Sequence, residues 1–204
     1  MHSHWNENQI HLRGRLTEAP RISHINHDTA YCLLPLSVRR LSGAEDRLRV
    51  VAARPMLEGL RLEPGAPLSV RGEVRTFNNR SGVGSKLVVS VFAKALFQEE
   101  GAEDENRLEL AGTLCKPPSL RSTPLGRTIC DMILAVNRRY GRADYLPCIA
   151  WGSLAHRCAA MAVGDPLHLA GRLQSRDYTK EIDGQPQART AFEVSVMSLL
   201  PPEP

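Results

Sequence analysis

Aromatic residues are few in this chain: two Trp, four Tyr and four Phe among 204 residues, or 5%. That leaves little for a protein that works by ring stacking, unless the rings are concentrated in one place. Charge of one sign is not in excess either. The chain has 26 Lys and Arg against 22 Asp and Glu, a formal net charge of +4, and that balance does not by itself mark a nucleic-acid binder. No apolar run reaches the ~18 residues that a membrane helix needs. The opening Met1-His2-Ser3-His4-Trp5-Asn6-Glu7-Asn8 has no basic stretch followed by an apolar one, so no secretory signal is expected. The cysteines, Cys32, Cys115, Cys130, Cys148 and Cys158, are odd in number and none shows C-x-x-C spacing. A disulfide framework and a zinc ribbon are both disfavoured, and buried thiols of a reducing, cytoplasmic compartment are expected. P-loop, G-x-G-x-x-G, H-E-x-x-H and G-x-S-x-G patterns are all missing, so neither an enzyme nor a cofactor is expected. His24 and His27 lie three apart in a Ser/Asn/Asp-rich stretch with no third ligand, which reads as a solvated loop rather than a metal site.

What the chain does have is an apolar content of 42%, enough for a packed core, and an internal repeat. At an offset of 98, Gly14 falls on Gly112, Leu16 on Leu114, Pro20 on Pro118, Val38 on Val136 and Arg40 on Arg138. The stretch Leu68 to Val74 meets Leu167 to Leu173 at an offset of 99, and Val88 to Val91 meets the run from Phe192 to Val196. Between the copies, Gln98 to Asn106 carries five acids and no apolar residue larger than Ala, as a solvated spacer does. The expected domains are therefore 1–97, a spacer 98–106, 107–200 and a short tail 201–204. Without the five spacer acids the balance is 26 bases to 17 acids, a more plausible electrostatic footprint.

Each copy reads as mostly strand. Leu108, Leu110 and Leu114 alternate with small or polar residues, and so do Leu167, Leu169 and Leu173. One segment follows the helical period instead: from Gly152 to Met161, Leu154, Cys158 and Met161 share a face, with Ser153 as the expected N-cap. The matching Pro55 to Leu60 of the first copy contains Gly59 and should form only a short turn. The fold expected is all-β: two tandem five-stranded OB-fold barrels, each with a short helical segment between strands three and four.

The second copy carries more. It reads Ala135-Val136-Asn137-Arg138-Arg139-Tyr140, then Asp144-Tyr145, Ala150-Trp151-Gly152-Ser153-Leu154-Ala155, Gly171-Arg172-Leu173, Arg176-Asp177-Tyr178 and Asp183-Gly184-Gln185. This succession closely resembles bacterial single-stranded DNA-binding proteins, strongly over about 106–200 and weakly over 8–97. The resemblance implies that Tyr140, Tyr145, Trp151 and Tyr178 stack bases, while Arg138, Arg139, Arg142, Arg172 and Arg176 meet phosphates. It implies binding and protection of single-stranded DNA without sequence preference, in replication, recombination or repair, near the nucleoid. It also implies four OB-folds per assembly, hence a homodimer of this chain. Gly112, Gly152 and Gly171 read as barrel-geometry residues rather than ligand contacts.

The first copy departs from the pattern. Tyr140 becomes Ser42, Tyr145 becomes Arg47 and Trp151 becomes Ala53. Arg39, Arg40, Arg75, Phe77 and Arg80 remain as weaker, mainly electrostatic contacts, or else this copy serves structure and dimerisation. The family commonly ends in an acidic tail that recruits repair and replication enzymes. This sequence ends at Leu199-Leu200-Pro201-Pro202-Glu203-Pro204, so recruitment by that route is not expected. The rival reading is an OB-fold protein–protein module, such as an accessory factor of replication restart or of plasmid or phage DNA transfer. RNA is a further possible ligand, since aromatic stacking does not read the 2′-hydroxyl.

Overall fold

The computed structural model describes residues 8–79, 85–138, 141–182 and 184–201. The first copy contributes β1 (Asn8–Leu16), β2 (Arg21–Asn26), β3 (Thr29–Arg39), β4 (Glu45–Ala53), β5 (Pro67–Asn78) and β6 (Leu87–Phe97). The second contributes β7 (Glu105–Leu114), β8 (Ser119–Ser122), β9 (Thr128–Asn137), β10 (Ala143–Trp151), the helix α1 (Ser153–Ala159), β11 (Pro166–Ile182) and β12 (Gln185–Leu199). By Cα proximity the chain divides into two compact units. One joins Gln9–Arg107 with Gln174–Ala191, the far part of the β11–β12 hairpin. The other is built on Leu108–Leu173 and the β12 residues from Phe192.

Within the first copy the strands run β2-β3-β4-β6-β5-β1, and β1 returns to pair with β3, closing a barrel. The second repeats this order as β8-β9-β10-β12-β11-β7, closed by β7 on β9. In both, the junction of the third and last barrel strands is parallel: Val50 pairs with Val91, and Cys148 with Val194. These are the two expected OB-folds. Alternation places the cores. Ile10, Leu12, Leu16, Leu34, Leu36, Leu48 and Leu68 are almost wholly buried in one barrel; Leu108, Leu110, Leu114, Ile129 and Leu134 are in the other. Each such side chain contributes about 1.5–3 kcal/mol by leaving water.

Glycine is required where barrel strands cross closely. A Cβ on Gly14 would strike the carbonyl oxygen of Ser37, and one on Gly112 that of Ala135. Gly72 and Gly171 meet the carbonyls of Phe92 and Ser195 in the same way. The repeat keeps glycine at all four places because no other residue fits there.

Three details differ from the sequence reading. Each barrel carries an additional edge strand, β2 or β8, whose residues are all exposed and so leave no core-facing pattern in the sequence. His24 lies on β2 rather than in a loop, and the hairpin turns at His27 and Asp28, both at positive φ, the geometry of a two-residue turn that follows strand twist. The cap of α1 is Gly152, with φ 58°, and Ser153 is already helical. As expected, the first copy has only a short turn, one turn of 3-10 helix at Arg54–Leu57, where the second has α1.

The acidic segment is also more engaged than a plain spacer. Glu99 and Glu105 pair with Arg13 at 3.0 and 3.6 Å. Asp104 accepts the Arg39 backbone N–H at 2.6 Å, and the Gln98 amide bonds the backbone of Arg61 and Pro67. No helix of the described residues is long and apolar enough to cross a membrane.

Candidate nucleic-acid interface

In the second barrel, β10 sends Asp144, Leu146, Cys148 and Ala150 inward, all buried. The opposite phase belongs to Tyr145, Pro147, Ile149 and Trp151. Tyr145 is 51% exposed and Trp151 38% exposed, so both rings are displayed outside the barrel instead of filling it. Their antiparallel partners on β9 are Ala135 and Ile129. Gly152 ends the strand beside Trp151 at positive φ, and its N–H donates to the Thr128 carbonyl at 2.9 Å.

The arginines of this barrel have different occupations. Arg138 is half-buried and forks onto Asp144, with Nε to Oδ2 at 2.6 Å and Nη2 to Oδ1; that carboxylate is fully buried. The Arg138 N–H also donates to the Arg142 carbonyl at 2.6 Å, closing the turn. Arg142 is exposed. Arg172 is half-buried on β11. Arg139 and Tyr140 lie outside the described residues, as does Asp183.

The compact unit of the first barrel includes the hairpin arm that carries Arg176 and Tyr178. Tyr178 is 36% exposed, with the Arg176 guanidinium 5.7 Å from its ring centre. Ser175 fastens the base of the arm: its N–H donates to Asp46 at 2.8 Å, and its hydroxyl accepts the Arg47 N–H at 2.9 Å. Further out, Thr190 donates to Asp177 at 2.7 Å.

Of the first-copy candidates, Arg40 repeats the role of Arg138 by forking onto fully buried Asp46, with Nε at 2.9 Å. Arg75 pairs with Glu73. Arg39 is exposed over most of its side chain, 3.5 Å from Glu45. Phe77 is 54% exposed. Arg80 lies outside the described residues. Sequence reasoning missed a ring cluster on the same barrel: His24 stacks on Tyr31 at 4.9 Å and 6°, and Tyr31 meets Phe92 at 5.7 Å and 39°. The available signal was phase, since Tyr31 and Phe92 alternate with buried Cys32 and Val91 and must point outward.

Four of the five thiols, those of Cys32, Cys130, Cys148 and Cys158, are buried, and Cys115 is half-buried. Burial pushes the Cys158 thiol up to about 11, and burial also raises Cys148 and Cys130.

The sequence model described as "Single-strand binding protein family" matches residues 105–200. A single-stranded DNA-binding protein of Clostridium tetani is 38% identical over 80 residues, 36% of this chain and 55% of that protein. The chain thus spans about half the length of that relative. The single-stranded DNA-binding protein of Thermus aquaticus is 28% identical over 216 residues, covering 91% of this chain and 81% of the relative. The crystal structure of that wild-type protein superposes with a TM-score of 0.78 at 27% identity, covering 98% of this chain and 94% of the other. The second barrel carries the sequence pattern of the single-strand binding protein family over residues 105–200, and the two OB-folds in order match the Thermus aquaticus protein over nearly the whole chain.

Proposed function

We propose that the chain binds single-stranded DNA with little regard to sequence, stacking bases on exposed rings while arginines meet phosphates. The observation that carries this reading is the pair Tyr145 and Trp151, displayed on the outward phase of β10 where neither ring serves the core. Stacking is worth roughly 1–3 kcal/mol per base and accepts any base, because every base has a π-face. Tyr178 with Arg176 beside it offers a further ring on the arm. Tyr140, Arg139 and Arg172 take the same roles by sequence match, and exposed Arg142 is a phosphate partner. Arg138 is assigned to the turn, because its fork is already spent on Asp144. The names of the relatives, all single-stranded DNA-binding proteins, support the ligand. Coating of exposed strands during replication, recombination or repair follows as the cellular role, with a homodimer bringing four OB-folds together.

Titration of labelled oligo(dT) of graded length, with mass measured in solution, tests this. Expected are saturable binding that weakens with salt, preference for single strands over duplex, and a particle of twice the chain mass. Absence of binding at low salt overturns the reading.

A further inference from the structure

At the end of β10 the second barrel displays Trp151. Its cross-strand partner is Ile129, and the β12 residue level with Ile149 is Ser195. The same three places in the first barrel hold Ala53, Tyr31 and Phe92: Ala53 ends β4 and pairs with Tyr31, while Phe92 is level with Val51. The large ring has moved from the middle strand to the two strands flanking it. A comparison of the copies by position reads Ala53 as a lost stacking group; the geometry reads it as a relocated one.

The relocated rings lie on the outer phase of the barrel wall. Cys32, Leu34, Val91 and Ala93 take the inner phase, and all are buried. His24 is exposed and lies nearly parallel to Tyr31, so its ring is the outer end of a short stack. Phe92 flanks Tyr31 on the other side, and the Lys94 ammonium stands 5.5 Å from the Phe92 ring centre and 3.5 Å from Glu73. On β4, exposed Arg47 and Arg49 share the outward phase with Val51 and Ala53. Apolar rings with cations beside them fit a strand whose bases are flat and apolar on their faces and whose backbone is anionic.

We propose that His24, Tyr31 and Phe92 form a second base-stacking platform for single-stranded DNA on the first barrel, with Lys94 and Arg49 as its phosphate partners. It rests on the DNA-binding reading above, and makes the first barrel a stacking site instead of a purely electrostatic one.

The test is photo-crosslinking of the full chain to 5-iododeoxyuridine oligonucleotides, with crosslinked residues identified by mass spectrometry. Crosslinks at Tyr31, Phe92 or His24 are expected alongside those at Tyr145, Trp151 or Tyr178. Crosslinks confined to the second set overturn the platform while leaving DNA binding intact. No crosslink and no binding at low salt overturn both. A Tyr31→Leu, Phe92→Leu variant keeps apolar bulk and removes the rings. It should bind long oligo(dT) about five-fold or more weaker and cover fewer nucleotides. Should that variant unfold, His24→Ala, at an exposed position, should still weaken binding; unchanged affinity and unchanged covered length in a folded variant overturn the proposal.

Discussion

Arg138 holds the buried carboxylate of Asp144 with both limbs of its guanidinium, and Arg40 holds Asp46 identically in the other barrel. In each case the arginine N–H also closes the turn, onto the Arg142 carbonyl at 2.6 Å and the Ala44 carbonyl at 2.7 Å. A buried carboxylate is tolerable only with such a partner, because removing one member strands the other charge away from water.

Asp144→Ala should therefore cost about 3 kcal/mol of stability, as should Arg138→Ala, and the double variant should cost less than their sum. Denaturant unfolding of the single and double variants measures this. Additive losses contradict the pairing.

The seam glycines are a second test. Gly14→Ala and Gly112→Ala force a methyl into a backbone carbonyl and should cost about 3 kcal/mol or more, since the strands must part. Gly43→Ala, in open space at φ +86°, should cost only about 1–2 kcal/mol from backbone strain. Thermal unfolding should rank the variants in that order.

How much of this was legible in the sequence depended on whether a residue's partner was near it in the pattern. Alternation in Leu108 to Leu114 and Leu167 to Leu173, doubled by the repeat, was enough for the barrels. Tyr145 and Trp151 were picked out by the resemblance and not by alternation; the structure supplies their outward phase. Strand β2 was not legible, because Arg21, Ile22, Ser23 and His24 are all exposed and leave no apolar phase to read. Arg138 looked like a phosphate contact because arginines beside aromatics invite that reading. The contrary signal was that Asp46 and Asp144 repeat at the same offset as Arg40 and Arg138, six residues on in each copy. The contacts of Ser175 with Asp46 and Arg47 join residues more than a hundred positions apart, and nothing local announces them.

Salt dependence separates the arginines by role. Arg142→Ala should lower the slope of log affinity against log salt by about 0.7, the loss of one phosphate contact, with little change in stability. Arg138→Ala should do the reverse. Oligo(dT) titration across a salt series, beside unfolding of each variant, reads both.

The cysteines set an alkaline limit. The Cys158 thiol is raised by burial to about 11, above its ordinary value, and Cys148 is raised by burial as well. Below about pH 8 both folded and unfolded chains keep these protons, and stability should be level. Above it the unfolded chain releases protons that the folded chain retains, so stability should fall as pH rises toward 11. Native protein treated with a thiol reagent at pH 8 should react first at half-buried Cys115, and with the buried cysteines only on unfolding. Fast native reaction of Cys158 contradicts this.

The most direct test of base stacking on the second barrel is oligo(dT) affinity of a Tyr145→Leu, Trp151→Leu variant against the parent chain, at fixed salt, with folding checked by circular dichroism. The rings lie outside the core, so the fold should persist. Affinity should fall at least ten-fold, since each lost base stack is worth roughly 1–3 kcal/mol. A folded variant that binds oligo(dT) as tightly as the parent would contradict it.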